Sequence, residues 1–155
     1  MKTPESLLSV RSLTHSFAGK KPQVNAVSFD IDAGEFVSII GPNGSGKSTL
    51  LRLIISELPA ASGEIMINGK ALRMMNPQER ARTIALLTQH DNADLRLTVG
   101  EYVALGRIPW QADYTNIEHD NAIAEAISDV GITHLQRVSL GTLSGGERQR
   151  AGLAR

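Results

Sequence analysis

The chain has 155 residues with 16 basic and 16 acidic side chains, so its formal net charge is zero and gives no electrostatic case for binding nucleic acid or an anionic membrane surface. It contains no cysteine, which excludes disulfides, thiolate metal sites and a cysteine nucleophile. No stretch reaches the ~18 apolar residues of a membrane span, so we expect one intracellular domain with a sizeable core.

The first predicted elements form a β-hairpin. Residues 7–17 and 24–31 both alternate between apolar and polar side chains, and 18–22 form the turn between them. The alternation changes phase at Ala26, which indicates a bulge. The apolar run 36–40 then predicts a buried strand, so we expect an antiparallel β layer beside an α/β core.

Shorter elements follow further along. Residues 64–67 predict a strand, and Asn68–Gly69 is a tight-turn signal. Pro77 stands where a helix would begin, since proline is favoured at the first helical position. Residues 84–87 predict another short apolar strand.

The segment Gly41–Ser48 joins the predicted strand 36–40 to a predicted helix, and its sequence matches a phosphate-binding loop. Glycines let the backbone approach an anion and point successive N–H groups into a concave nest. Lys47 can reach the β- and γ-phosphates, and the Ser48 hydroxyl can bind Mg²⁺. The predicted nucleotide-binding residues are Gly41, Pro42, Asn43, Gly44, Ser45, Gly46, Lys47, Ser48 and Thr49.

The region between 90 and 143 predicts a helical subdomain. Thr98–Glu101 and Thr115–Glu118 are capping boxes, each of which marks the start of a helix. Apolar residues recur at helical spacing between 123 and 130, and Gly131 follows as a C-cap.

A third capping box, Ser144–Glu147, opens the last predicted helix. A lone Ser-x-x-Glu is more often a helix cap than a binding site. Here the two residues between serine and glutamate are Gly145 and Gly146, so backbone N–H groups at the helix N-terminus are open to an anion.

Together with the upstream phosphate loop and the intervening Gln89, the motif Leu143, Ser144, Gly145, Gly146, Glu147 resembles the signature of the ATP-binding cassette (ABC) ATPases. The resemblance implies an α/β, P-loop NTPase core with an antiparallel β layer and a helical subdomain, lacking the C-terminal part of the core. It implies three parts: core and β layer 1–90, helical subdomain 91–143 and signature helix 144–155. It also implies ATP and Mg²⁺ as cofactors.

The resemblance assigns roles by position. Phe17 matches the aromatic residue that stacks on adenine, although it could instead be a core residue at a strand end. Gln89 matches the glutamine that approaches Mg²⁺ and the attacking water, although it could be an ordinary loop residue. The resemblance implies that Gln89 and Lys47 are catalytic and that Ser48 and Gln89 bind Mg²⁺. The signature is implied to act in trans, on ATP held by a second ABC subunit in a head-to-tail dimer.

A narrower resemblance lies in Gly106-Arg107-Ile108-Pro109, which is similar to importers of the iron–siderophore, haem and cobalamin type. The alternative is a helix end that glycine and proline merely stop. The resemblance implies a cytoplasmic subunit on the inner face of the cell membrane, bound to an integral membrane permease. It also implies indirect partnership with a periplasmic or lipoprotein substrate-binding protein. The neutral net charge leads us to expect no nucleic-acid partner.

One part of the family pattern has no match in these residues. The family's Walker B strand ends in Asp-Glu, which hold the Mg²⁺ shell and orient the attacking water, and the closest run, Val27–Asp30, precedes the phosphate loop. The switch histidine that follows the signature also has no match. We therefore expect an incomplete, C-terminally truncated cassette with an open apolar edge at 36–40 and 84–87. We expect slow hydrolysis, since positioned acid–base groups contribute ~10²–10⁴-fold.

Three functional hypotheses follow. The first is the ATP-binding, energy-coupling subunit of an importer, in which ATP hydrolysis drives transport in the full-length family. The second is a soluble ABC protein that acts on ribosomes or DNA, which would usually carry two cassettes or basic arms. The third is an inert or regulatory nucleotide-binding fragment.

Overall fold

The structure is a computed structural model that describes residues 6–17, 21–88 and 94–155. The chain divides into two compact units, residues 1–80 and 81–155. No helix in the described part of the chain is long and apolar enough to cross a membrane.

The first unit contains a four-stranded antiparallel sheet with the strand order β2-β1-β3-β4. Val10 on the inner strand β1 is fully buried and pairs with Phe29 on β2 and Ile65 on β3. The predicted hairpin and the short strand near residue 65 are therefore confirmed. The strands are β1 (Leu8–His15), β2 (Val24–Ile31), β3 (Ser62–Ile67) and β4 (Lys70–Ala71).

The register of the β1–β2 ladder shifts twice. The change in alternation at Ala26 predicted such a bulge in β2. Ser12 and Ala26 adopt positive φ angles of 46° and 49° at these shifts. Side-chain hydroxyls replace the lost ladder bonds: the Ser12 N–H donates to Ser28 Oγ at 2.8 Å, and the Ala26 N–H donates to Thr14 Oγ1 at 3.0 Å. The hairpin therefore bulges without leaving these two donors unpaired.

The turn between β3 and β4 is the one that Asn68–Gly69 predicted. Both residues have positive φ, 50° and 73°, as the two central residues of a type I′ hairpin turn require. Helix α1 (Lys47–Ile54) buries Leu50 and Leu53, and helix α2 (Pro77–Thr83) begins at the predicted proline.

The second unit is helical. Its buried side chains come from three α-helices of the described residues 94–155 and from the segments between them, which include 3₁₀ turns at 105–110, 133–135 and 140–142. The helices are α3 (Val99–Ala104), α4 (Asn116–Asp129) and α5 (Gly145–Ala154). The buried core consists of Val99, Tyr102, Val103, Ile127, Ile132, Leu140, Leu143 and Ala151.

The predicted capping boxes open α3, α4 and α5. At the end of α4, Gly131 has a φ of 70°, its N–H donates to Ser128 O at 2.9 Å, and the Ile132 N–H donates to Ile127 O at 3.2 Å. This is a Schellman motif, which confirms the predicted glycine C-cap.

The two predicted apolar strands, 36–40 and 84–87, are wrong: the chain is irregular in both segments. Phe36 is 95% exposed and Ile40 is 90% exposed, so the first segment is not buried either. A strand needs a neighbour that pairs with its N–H and C=O groups. Within the described residues no strand pairs with either segment, so an apolar run alone does not become a strand.

Gly63 on β3 packs closely against the backbone of the β1 bulge. It has a φ of 95°, and a Cβ there would lie 2.6 Å from the carbonyl oxygens of Arg11 and Ser12. We predict that Gly63→Ala lowers the free energy of unfolding by about 3 kcal/mol or more, through backbone strain and overpacking. Urea unfolding measures the change.

Gly34→Ala is the matched control, since Gly34 also has positive φ, 83°, but a Cβ there meets nothing within 4 Å. Gly34→Ala should lower the free energy of unfolding by only about 1–2 kcal/mol. Equal losses in the two variants would contradict a close-packing role for Gly63.

The capping-box carboxylates should make stability depend on pH. Hydrogen bonds lower the pKa values of Glu101, Glu118 and Glu147 below their ordinary value of 4.5. The main donor is the backbone N–H of the N-cap threonine for the first two and the Ser144 hydroxyl for Glu147. Since the unfolded chain binds these protons more tightly, the stabilisation is complete above about pH 4.5 and is lost as pH falls through the lower folded-state pKa values.

We therefore predict that the urea midpoint falls between pH 5 and pH 3. The fall should be smaller in the variant Glu101→Gln/Glu118→Gln/Glu147→Gln, which has no carboxylate to protonate at these caps. An equal fall in both proteins would show that these three groups do not contribute.

Candidate nucleotide-binding site

The predicted phosphate loop forms a tight connection into α1. Gly44 and Gly46 adopt φ angles of 79° and 91°, and Gly46 is the N-cap residue of the helix. The Ser45 N–H donates to Pro42 O at 3.3 Å, and the Leu50 N–H donates to Gly46 O at 2.8 Å. The loop therefore turns sharply and leads directly into a helix N-terminus, where unpaired N–H groups favour an anion.

Gly46 also fixes the loop to the sheet. A Cβ at this position would lie 2.4 Å from Gln23 O, so any other residue would collide with the backbone just before β2. The Gln23 side chain adds a second contact, because its Oε1 accepts a hydrogen bond from Thr49 Oγ1 at 3.3 Å. The Gln23 N–H donates to His15 O at 3.0 Å, which continues the connection to the end of β1.

Lys47 folds back over the loop. Its Nζ donates to Gly41 O and to Pro42 O, both at 2.8 Å, and the side chain is only half-buried. The ammonium group therefore stands at the loop with two backbone acceptors that phosphate oxygens can replace. Ser48, the predicted Mg²⁺ ligand beside it, is exposed.

Phe17 follows the end of β1 and is 38% exposed, so it is not the buried core residue of the alternative interpretation. Its ring meets the His15 ring edge to face, with centroids 4.8 Å apart and planes at 89°. Gln89, predicted to be a catalytic residue and a Mg²⁺ ligand, lies outside the described residues.

The signature motif lies in the second unit, at the start of α5. The Ser144 N–H and Oγ donate to Glu147 Oε2 at 2.7 and 2.6 Å, and the Glu147 N–H donates to Ser144 Oγ at 3.3 Å. Leu143 is buried and anchors the turn before the helix. The capping serine and glutamate thus hold the first turn of α5 in place.

Gly145 and Gly146 are exposed, and neither has a positive φ angle. A Cβ at either position would meet no described atom within 4 Å. Neither backbone conformation nor packing within the described chain therefore requires glycine here. Absence of a side chain instead leaves the backbone N–H groups of the first helical turn accessible.

Sequence reasoning missed Gln23 and His15. Gln23 links the loop to β1 through its backbone, and His15 supports Phe17. Neither residue belongs to a motif, and only the packing of the bulged hairpin against the loop reveals them. No group of three His, Cys, Asp or Glu within residues 6–17, 21–88 and 94–155 could hold a metal ion.

The fold and the loop define a phosphate-loop nucleotide-binding domain. The profile of the family described as ABC transporter matches residues 24–155, and the chain belongs to that family. It is 38% identical over 141 residues to the hemin import ATP-binding protein HmuV of Pseudomonas fluorescens, covering 91% of this chain and 54% of that protein.

The chain is also 41% identical over 138 residues to the ferric enterobactin transport ATP-binding protein FepC of Escherichia coli, covering 88% of this chain and 51% of that protein. It thus spans about half the length of the curated relatives it matches. A crystal structure of a nucleotide-free ATP-binding cassette from an ABC transporter superposes with a TM-score of 0.79 at 25% identity, covering 97% of this chain and 64% of that one. The predicted fold class, a partial ABC ATPase core, is confirmed.

The open surroundings of the signature glycines generate a prediction about stability. Gly146→Ala should leave the free energy of unfolding unchanged or raise it by up to ~1 kcal/mol, because alanine is the better helix former. Gly152→Ala in the same helix is the control, because its Cβ would meet Leu87 Cδ1 at 3.0 Å. The free energy of unfolding should therefore rise less in Gly152→Ala than in Gly146→Ala. Urea unfolding compares them, and a clear loss of stability in Gly146→Ala would mean that local structure does require this glycine.

Proposed function

We propose that the chain is the ATP-binding, energy-coupling part of an ABC importer. The observation that carries the proposal is the position of the Lys47 ammonium, held by two loop carbonyls at the N-terminus of α1. In the proposal, residues 1–90 form the nucleotide-binding core, 91–143 the helical subdomain and 144–155 the signature helix.

ATP is proposed to bind along Gly41–Thr49. The loop N–H groups and the start of α1 would hold the phosphates, since oriented amides and a helix N-terminus favour an anion. Lys47 would exchange its carbonyl acceptors for phosphate oxygens, and Phe17 would stack on the adenine. The partial exposure of Phe17 and the exposure of Ser48 support these assignments.

Mg²⁺ would be held by Ser48 and Gln89 together with phosphate oxygens. The residues fit this arrangement, because the loop supplies a hydroxyl ligand and the ion otherwise prefers water and phosphate oxygens to a cage of protein groups. When bound, the ion would neutralise charge on the phosphates. Gln89 and Lys47 are the proposed catalytic residues of this chain.

The signature residues are proposed to serve a second ABC subunit. The exposed N-terminus of α5 can accept an anion, and the side-chain-free Gly145 and Gly146 would let a partner's γ-phosphate approach the backbone. The capping box keeps that helix end ordered before a partner arrives. A head-to-tail dimer would place ATP between the phosphate loop of one subunit and Ser144–Gly146 of the other.

The importer assignment rests on the relatives and on one sequence element. The relatives named above are ATP-binding proteins of hemin import and of ferric enterobactin transport. Gly106–Pro109 resembles the corresponding element of the same importer group. We propose iron–siderophore or related chelates as the cargo. An integral membrane permease would bind this subunit at the inner face of the cell membrane, and a periplasmic or lipoprotein substrate-binding protein would act indirectly.

Lys47→Ala tests the nucleotide site. We predict a loss of MgATP affinity of roughly 100-fold or more, since each charge-assisted hydrogen bond contributes about 1.5–3 kcal/mol and ~1.4 kcal/mol is a tenfold change. Isothermal calorimetry measures the affinity.

Lys70→Ala is the matched control. Lys70 lies in the same unit, and its ammonium forms an exposed ion pair with Glu79. Its removal should leave MgATP affinity unchanged, and retained affinity in Lys47→Ala would show that the loop does not bind phosphate as proposed.

A further inference from the structure

His15 is a buried polar residue that belongs to no nucleotide-binding motif. It is the last residue of β1 and only 6% exposed. Its Nδ1 lies 2.8 Å from Pro59 O, and because a carbonyl oxygen can only accept, Nδ1 carries the proton. Its Nε2 is buried and has no hydrogen-bond partner among the residues that the structure describes.

The bond to Pro59 orients the imidazole, and the same ring also contacts Phe17. The two rings meet at 89° with centroids 4.8 Å apart, an edge-to-face geometry that is favourable between aromatic rings. Phe17 stands just beyond the strand and keeps 38% of its surface exposed. His15 therefore supports one part of the Phe17 ring and leaves another part open.

The backbone of His15 is connected to the phosphate loop. His15 O accepts the Gln23 N–H at 3.0 Å, and Gln23 O lies against Gly46, where a Cβ would be 2.4 Å away. The residue that supports Phe17 is thus also connected to the phosphate loop. The side chain in contact with Phe17 and the phosphate loop are therefore linked through one residue, Gln23.

We propose that His15 is a positioning residue for base recognition. Its imidazole, oriented by Pro59, holds the Phe17 ring where it stacks on the adenine of ATP bound at the loop. The inference rests on the proposed stacking role of Phe17 and adds the residue that determines it. His15 does not touch the nucleotide and acts only through Phe17.

The test separates base binding from phosphate binding by using two ligands, MgATP and magnesium tripolyphosphate, in calorimetry. Phe17→Ala should weaken MgATP binding about 10-fold, within the range expected for one base–aromatic stack, and leave tripolyphosphate binding unchanged. His15→Leu should weaken MgATP binding about 3- to 10-fold and also leave tripolyphosphate unchanged, which shows that the variant is folded.

The double variant His15→Leu/Phe17→Ala distinguishes positioning from a general structural role. If His15 acts through Phe17, the double variant binds MgATP no more weakly than Phe17→Ala alone. Additive losses would overturn the inference. His15→Phe keeps a ring against Phe17 and should retain MgATP affinity to within about 2-fold, and a loss as large as that of His15→Leu would also overturn it.

The unmodified chain provides a second readout that does not depend on folding of a variant. MgATP, but not magnesium tripolyphosphate, should shift the NMR resonances of the ring protons of both Phe17 and His15. A shift of Phe17 with His15 unmoved would overturn the inference. If Phe17→Ala leaves MgATP affinity unchanged, the stacking role in the proposed function fails, whereas an effect of Phe17→Ala without one of His15→Leu refutes the inference alone.

Discussion

The contact between Gly46 and the backbone of Gln23 is the constraint on which the nucleotide site depends. It brings the phosphate loop against the sheet so closely that no side chain fits between them. Gln23 is in turn bonded to His15 at the end of β1 and to Thr49 in α1. One residue outside every recognised motif therefore connects the end of β1, the phosphate loop and helix α1.

Features governed by neighbouring residues were predictable from the sequence. The capping boxes at Thr98, Thr115 and Ser144 need only a hydroxyl and a carboxylate three residues apart, and all of them form. Gly131 as a C-cap and the Asn68–Gly69 turn follow in the same way from backbone conformations that few residues adopt. The tight turn at Gly44 and Gly46 that leads into α1 is a further case, since both glycines adopt positive φ angles; phosphate binding by this loop remains a prediction.

Features that depend on distant partners were not predictable. Residues 36–40 and 84–87 have the composition of buried strands. An apolar composition favours burial, but a strand also needs a neighbouring strand to pair with, and composition does not predict that neighbour. The roles of Gln23 and His15 arise only when a bulged hairpin brings its end against the loop. Gln89 lies outside the described residues, so its predicted roles in catalysis and Mg²⁺ binding remain predictions.

The two motifs at helix N-termini differ in how they are built. The loop at Gly46 has glycines that the fold itself requires, through positive φ and the contact with Gln23. The signature at Gly145–Gly146 has glycines that the described fold does not require, which points to a ligand or partner from outside.

The central claim is that the phosphate loop at Gly41–Ser48 binds MgATP. Hydrogen–deuterium exchange of the intact chain tests it most directly: the account predicts that saturating MgATP slows amide exchange chiefly in residues 41–53, and protection confined to residues 94–155, or none at all, would contradict it.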